Sequence, residues 1–261
     1  MEAALIPAKG LEIYALRSTF HLALAIPTAL KNPLYVGAYR RAASRGDYIV
    51  LDNGAAEGQT APDKQLLEAA RMLRAQEIVA PDVIKDSFAT IARTKTFCSK
   101  FGEDLVGLKV MAVAQGNKLA NFRTCIDNLA RLSKVGVIGI PRHIIDTLDS
   151  KAARIDLANW IQEAYPLRFG IHLLGTNPRW LHEIKSAATY APHIRSVDSS
   201  LPFTYTIQNT RLSTTTKTFT RHPRFFTMDW SRDVPANLLR DNIQTFMEWA
   251  GAKIGTTAPV S

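Results

Sequence analysis

Short apolar runs rich in β-branched residues alternate along the chain with longer stretches whose apolar positions recur every three to four residues. The runs at 20–25, 48–51, 77–80, 108–114, 135–140, 169–174, 194–197 and 224–228 predict eight strands. Between and after them, 33–45, 62–75, 87–101, 119–132, 146–164, 178–189 and 235–250 carry the helical period. Leu66, Leu67, Ala70 and Leu73 form one such stripe. Asn32 before Pro33, and Asn177 before Pro178, set a capping side chain ahead of a proline at the first helical position. Thr60 and Asp63 resemble a capping box with Asp in place of Glu. Strands followed in turn by helices, with no long linker, predict one (β/α)₈ barrel (a TIM barrel) over residues 1–261. The other arrangement, an open doubly wound sheet, has neither a G-x-G-x-x-G turn nor a phosphate-binding G-x-x-x-x-G-K-[ST] to favour it.

Charge changes this picture at one place. The chain has 261 residues, 32 Lys and Arg against 23 Asp and Glu, and a net charge of +9. Residues 199–228 contain no acid, yet hold Arg211, Lys217, Arg221 and Arg224 among threonines and the rings of Phe203, Tyr205, Phe219, Phe225 and Phe226. A basic threonine- and aromatic-rich loop at about 199–223 therefore takes the place of one barrel helix. It suits a phosphate backbone with unstacked bases, although a solvated basic loop has the same composition. Cys98 and Cys125 are too few for a disulfide framework or a Cys-rich zinc site and fall on helical patterns, as core residues do. The N-terminal residues lack the order of a signal peptide and no apolar run is long enough to span a membrane, so the expected setting is cytoplasmic.

Side chains at the C-terminal ends of barrel strands converge on one mouth. Here those ends read Asp52-Asn53-Gly54, Pro81-Asp82, Gln115-Gly116-Asn117, Gly139 before Pro141-Arg142-His143, His172 to Gly175, and Asp198-Ser199-Ser200. One aspartate alone is ordinarily a turn or cap residue. Three converging with a carboxamide suggest chemistry at a glycosidic bond, where one carboxylate attacks the anomeric carbon and another moves the proton. An aspartate beside a glutamine also matches the donor and acceptor pattern of a guanine edge. Lys109 invites a Schiff-base reading but lies early in its strand, toward the stability face. His172 is open to the plain reading of a histidine bonded within the barrel, and Arg142 and His143 to that of a helix-start detail.

In order along the chain, these segments resemble the tRNA-guanine transglycosylase superfamily, (β/α)₈ enzymes that exchange guanine in a nucleic acid for a 7-deazaguanine. Val50-Leu51-Asp52-Asn53-Gly54-Ala55 resembles T-D-S-G-G, and Glu77-Ile78-Val79-Ala80-Pro81-Asp82 resembles D-I-V-M-A-F-D. Val113-Ala114-Gln115-Gly116 matches V-Q-G, and Ile138-Gly139 falls on I-G-G-L. His172-Leu173-Leu174-Gly175 is similar to Y-L-M-G, and Ser196-Val197-Asp198-Ser199-Ser200-Leu201-Pro202 to M-F-D-C-V-L-P-T. The resemblance implies Asp198 as covalent nucleophile and Asp52 as general acid/base. It implies that Asp82, Gln115, Gly116, Gly139 and Leu174 hold the base, and that a free 7-deazaguanine is the co-substrate.

The chain departs from the tRNA enzymes in having no C-x-C-x-x-C…H zinc site, Ala56 where an aromatic sandwiches the base, and Pro202-Phe203-Thr204-Tyr205 in place of a basic P-T-R-x-x-R-x-G loop. These departures favour the DNA-directed branch, the DpdA-like enzymes of bacteria and their phages, with host cytoplasm as the setting if the gene is a phage's. The expectation is guanine exchange in DNA without a cofactor, with Arg142, Arg211, Lys217, Arg221 and Arg224 meeting phosphates. The alternatives are the same exchange on tRNA or another RNA, a base-releasing hydrolase, and an inactive nucleic-acid-binding subunit. Oligomeric state and protein partners are left open.

Overall fold

Eight short strands run parallel in one sheet: Glu2–Leu5 (β1), Phe20–Leu24 (β2), Tyr48–Asp52 (β3), Glu77–Val79 (β4), Lys109–Val113 (β5), Val135–Pro141 (β6), Gly170–Leu174 (β7) and Ile194–Ser199 (β8). The computed structural model describes residues 1–215 and 217–255. Hydrogen-bonded neighbours follow the order β1-β8-β7-β6-β5-β4-β3-β2, which curls the sheet into a nearly closed barrel. The seam lies between β1 and β2, where the Ser18 hydroxyl, 2.6 Å from the Ala3 carbonyl, stitches the two edges. This is the (β/α)₈ architecture, with helices covering strands whose buried, near-continuous apolar runs reflect burial on both faces.

Those helices are Pro27–Leu30 (α1), Pro33–Ser44 (α2), Asp63–Leu73 (α3), Ser87–Lys100 (α4), Leu119–Leu129 (α5), Ile144–Leu148 (α6), Ala153–Ala164 (α7), Glu183–Tyr190 (α8), Leu201–Ile207 (α9) and Ala236–Ala250 (α10). The stripe of α3 is buried as its spacing predicts. Asn32 caps α2, its side-chain oxygen accepting the Leu34 N–H at 3.0 Å. Asn177 instead forms a turn, accepting the Arg179 N–H at 2.9 Å, and α8 starts only at Glu183. The Thr60–Asp63 box does not form, because Pro62 directly precedes α3 and supplies no side-chain cap. The single helix expected over 146–164 is two, broken where Asp149 takes a left-handed φ of 46°.

The strand set differs from the expected one at both ends of the chain. Residues 224–228 are turns, with the Thr227 and Met228 amides bonding back to the Arg224 carbonyl, and Phe225 fills space beside the barrel mouth. The eighth strand is Glu2–Leu5, whose Ala3, Ala4 and Leu5 are completely buried. The acid-free segment is also not one loop. It opens with the buried helix α9 and is pinned by Asn242 of α10, whose side-chain nitrogen donates to Thr206 Oγ1 and the Thr210 carbonyl, both at 3.0 Å, while its oxygen accepts the Leu212 N–H at 2.6 Å.

The floor of the barrel is polar and closed. Glu77, fully buried, receives both guanidinium nitrogens of Arg195 at 2.7 and 2.9 Å and the Tyr48 hydroxyl at 2.8 Å. Arg195 lies over the rings of Phe20 and Tyr48. Lys109 stands at this end, exposed at the start of β5, away from the mouth. Both cysteines are buried and unpaired.

Candidate active site

At the C-terminal ends of the strands lies a cavity of about 590 Å³, and Asp52, Asp82, Gln115, Leu174 and Asp198 all line it. Asp52 closes β3 and Asp198 is the penultimate residue of β8, so β1 and β2 separate them around the barrel and they approach the cavity from different walls. Asp52 Oδ1 accepts the Gly54 N–H at 2.6 Å in a tight turn. Gly54 sits at φ +79°, and a Cβ there would lie 2.7 Å from the Gln59 carbonyl, so glycine is required. Burial pushes the Asp52 carboxyl up to about 7, against the pull of the Gly54 amide and with the charges of Asp198, Asp82 and Glu57 adding to the rise. Its Oδ2 has no hydrogen-bond partner among the described residues.

Asp198 is held differently. Its Oδ1 accepts the Gly175 N–H at 2.7 Å and lies 3.1 Å from His172 Nε2, while Oδ2 has no partner among the described residues. His172 is fully buried, and its Nδ1 is 2.7 Å from Ser196 Oγ. That hydroxyl accepts from Arg195 Nε at 3.1 Å. A guanidinium only donates, so the serine proton is free to point at Nδ1, which puts the ring proton on Nε2, facing Asp198. Burial lowers the His172 pKa, keeping the ring neutral in this tautomer. The chain Arg195, Ser196, His172, Asp198 therefore runs in one donor direction from the barrel floor to the mouth.

The Gly175 amide is fixed in turn by Arg154 of α7. This buried guanidinium donates to the carbonyls of Gly175 at 2.8 Å and Ile140 at 3.1 Å, and pairs with Glu183 at 3.1 Å. It thereby ties the ends of β6 and β7 together beneath the loop that carries Gly175.

On the opposite wall, Asp82 accepts from Asn53 Nδ2 at 2.8 Å and Gln115 Nε2 at 2.6 Å, one amide on each oxygen. Asn53 also donates to the Ala80 carbonyl at 2.7 Å, and Gln115 Oε1 accepts the Lys85 N–H at 2.9 Å. Burial raises the Asp82 pKa while both amide donors oppose the rise. The spare lone pairs of Asp82 can accept from neighbouring N–H groups and the second N–H of Gln115 can donate, a pattern complementary to the edge of a planar base such as guanine. Asn53 was visible in the sequence beside Asp52, but its task of orienting Asp82 was not.

The remaining expected site residues divide. Gly139 and Gly116 are not among the residues lining the cavity. The Gly139 carbonyl is taken by the Ala114 N–H at 2.9 Å, and a Cβ on Gly139 would lie 2.7 Å from Leu174 Cδ1. Gly116 is pressed against the start of α5, 2.9 Å from Asn121 Cβ by the same measure. Leu174, seated over Gly139, lines the cavity. Of the five cations, Arg142 and Arg221 line the mouth. Arg221 is paired with Glu57 and lies over the rings of Phe225 and Phe226. Arg211 is paired with Asp241 at 3.1 Å, while Lys217 and Arg224 are exposed and are not among the residues lining the cavity. His143 lines the cavity with its Nε2 buried and unpartnered among the described residues, and burial pushes its pKa down to about 4, with Lys85, Arg154 and Arg142 adding to the fall.

Fold and site together define a (β/α)₈ barrel with a carboxylate-lined mouth. No family model and no curated protein matches the chain. Among solved structures, it is similar to the glycerol uptake operon antiterminator regulatory protein of Listeria monocytogenes, at 12% identity and a TM-score of 0.44, over 76% of this chain and 91% of that one. A likeness at that score carries no argument about function. Among the described residues no helix is long and apolar enough to cross a membrane, and no group of three or more His, Cys, Asp or Glu is placed to hold a metal ion.

Proposed function

We propose that the barrel exchanges guanine in DNA for a 7-deazaguanine base through a covalent aspartyl-glycosyl intermediate. The observation that carries this reading is the unlike treatment of two carboxylates on one cavity. Asp198 is gripped on one oxygen by two N–H donors and leaves the other free to attack, while Asp52 has a pKa of about 7, suited to giving and taking a proton near neutrality.

In the first half-reaction Asp198 Oδ2 bonds to C1′, the glycosidic bond breaks toward the base nitrogen, and the Asp52 proton makes the departing base neutral guanine. In the second, the 7-deazaguanine loses its ring proton to Asp52. The freed nitrogen attacks C1′ and releases the Asp198 carboxylate. Two displacements restore the original configuration, and each step balances in atoms and charge because the C1′–N bond broken in the first is replaced by a C1′–O bond to Asp198, which the second exchanges for a new C1′–N bond. Asp82, oriented by Asn53, and Gln115 read the base edge, and Leu174 packs on its face. Drawing the nucleotide from a stack costs a few kcal/mol, least from an unpaired strand.

DNA is preferred as the polymer because the chain's departures from the tRNA enzymes fall on the docking segments rather than on the base-reading ones. The test is incubation of the protein with labelled guanine or a labelled 7-deazaguanine, with single-stranded DNA, duplex DNA and tRNA in separate reactions. Label in DNA is the expected result, and label in tRNA alone reassigns the polymer. Guanine release without incorporation selects a hydrolase, and binding with neither outcome selects a non-catalytic role.

A further inference from the structure

Three apolar side chains stand in solvent on neighbouring loop ends at one side of the mouth. Ile84 is 45% and Phe88 74% exposed where the chain leaves β4 and enters α4. Leu119, 40% exposed, begins α5, which packs on α4. Ile84 also lines the cavity. Their backbone is fixed. Thr90 Oγ1 bonds both the Val83 N–H at 2.9 Å and its carbonyl at 3.0 Å, the Lys85 N–H reaches Gln115, and Asp86 caps α4 through the Ala89 N–H at 2.9 Å. Lys85 is held at a left-handed φ of 64°, a conformation that surrounding bonds must maintain. The pair is thus presented from a support tied to the base-reading glutamine. Val106 and Leu167, also exposed, lie in connections leading into β5 and β7, at the other end of the barrel.

The charge around this rim is mainly positive. Residues 105–126 and 128–145 contain no acid, and the carboxylate of Asp86, which accepts the Ala89 N–H at the start of α4, stands against three cations. Lys85, Lys118 and Arg142 have no carboxylate within ion-pair distance among the described residues. A lone surface aromatic is ordinary, but an aromatic and two aliphatic side chains with three free cations at a cavity edge have the composition that binds an unpaired strand. Each base offers a face for stacking and each linkage one negative charge.

We infer that Ile84 and Phe88 form a stacking platform for the nucleotide adjoining the one drawn into the cavity, on an unpaired strand held by Lys85, Lys118 and Arg142. The identity of the polymer rests on the base-exchange reading. The test uses single-stranded oligonucleotides with one guanine and 2-aminopurine placed on either side of it. The wild type quenches the probe at one of the two positions. Phe88→Ala loses the quench and binds roughly tenfold more weakly. Phe88→Trp keeps both, and the salt dependence is unchanged because no charge is altered. No binding by the wild type, or equal affinity and quench in wild type and Phe88→Ala, overturns the platform. A wild-type dimer that sediments as a monomer in Phe88→Ala with unchanged affinity also overturns it, assigning the patch to self-association. Incorporation of labelled base is read on the same samples. Phe88-dependent binding without incorporation rejects base exchange and leaves the platform standing.

Discussion

The ring of His172 meets Asp198 through Nε2, 3.1 Å from Oδ1, the same oxygen that takes the Gly175 amide at 2.7 Å. Both donors on one oxygen fix the carboxylate plane and leave free the other oxygen, the attacking atom of the proposed mechanism. His172→Phe keeps a ring of similar size in the barrel and removes this donor. Because a hydrogen bond to a charged group is worth roughly 1.5–3 kcal/mol, kcat for base exchange should fall about 10- to 100-fold with little change in KM. His172→Gln, which keeps an N–H donor, should recover part of the loss. An unchanged kcat in His172→Phe would make the histidine a packing group only.

Asp198→Asn preserves shape and the free position but removes the proposed nucleophile. Base exchange and the adduct trapped by denaturing the protein during turnover should both vanish, while nucleic-acid binding stays measurable. Mass spectrometry of the trapped protein reads the adduct directly. Normal turnover in Asp198→Asn rejects the covalent mechanism.

Asp52 gives stability and activity a common pH signature. In the unfolded chain it ionises near 3.8 and in the fold near 7. Between those values the native state holds a proton that the unfolded chain has released, so stability falls as pH rises through the window and stays lowered above it. Asp52→Asn removes that penalty, and should stabilise the protein by roughly 2–4 kcal/mol at about pH 8 and hardly at all near pH 4. Thermal melts at the two pH values test this. The same substitution should abolish exchange, and wild-type formation of the adduct should decline above about pH 7, where Asp52 has lost its proton. Equal melting shifts at both pH values would remove the raised pKa from the account.

Much of this site was legible because each buried strand is an apolar run that ends abruptly in polar residues. Asp52, Asp82, Gln115 and Asp198 follow Leu51, Pro81, Ala114 and Val197, and the barrel brings such ends together. The strand Glu2–Leu5 was not legible, since four residues rich in alanine carry neither β-branching nor a period, and burial in the seam alone makes them extended. The opposite error at 224–228 came from β-prone rings whose task is to wall a cavity. Arg154 sits amid a helical pattern like any surface arginine, and only its four acceptors, on Gly175, Ile140, Leu174 and Glu183, show why it is buried. His172 showed its polarity but not its partners, which lie 24 and 26 residues away.

Arg221 and Glu57 are 164 residues apart in the chain and form an ion pair at the mouth, with the guanidinium lying over Phe225 and Phe226. Both residues line the cavity, so the pair joins the acid-free segment to the turn that follows Asp52. As long as Glu57 holds it, Arg221 can meet a phosphate only by exchanging one anion for another. Glu57→Gln should therefore tighten binding to single-stranded DNA and steepen the dependence of log K on log salt by about 0.7, the increment for one further phosphate contact. The Arg221→Ala, Arg224→Ala double variant should bind more weakly and with a shallower slope. Because the Glu57 charge also helps raise the Asp52 pKa, Glu57→Gln should move the pH limb of adduct formation downward. Binding isotherms over a salt series provide the measurement. A slope unchanged in both variants would separate this segment from the polymer and leave the Arg221–Glu57 pair as a structural tie between two loops.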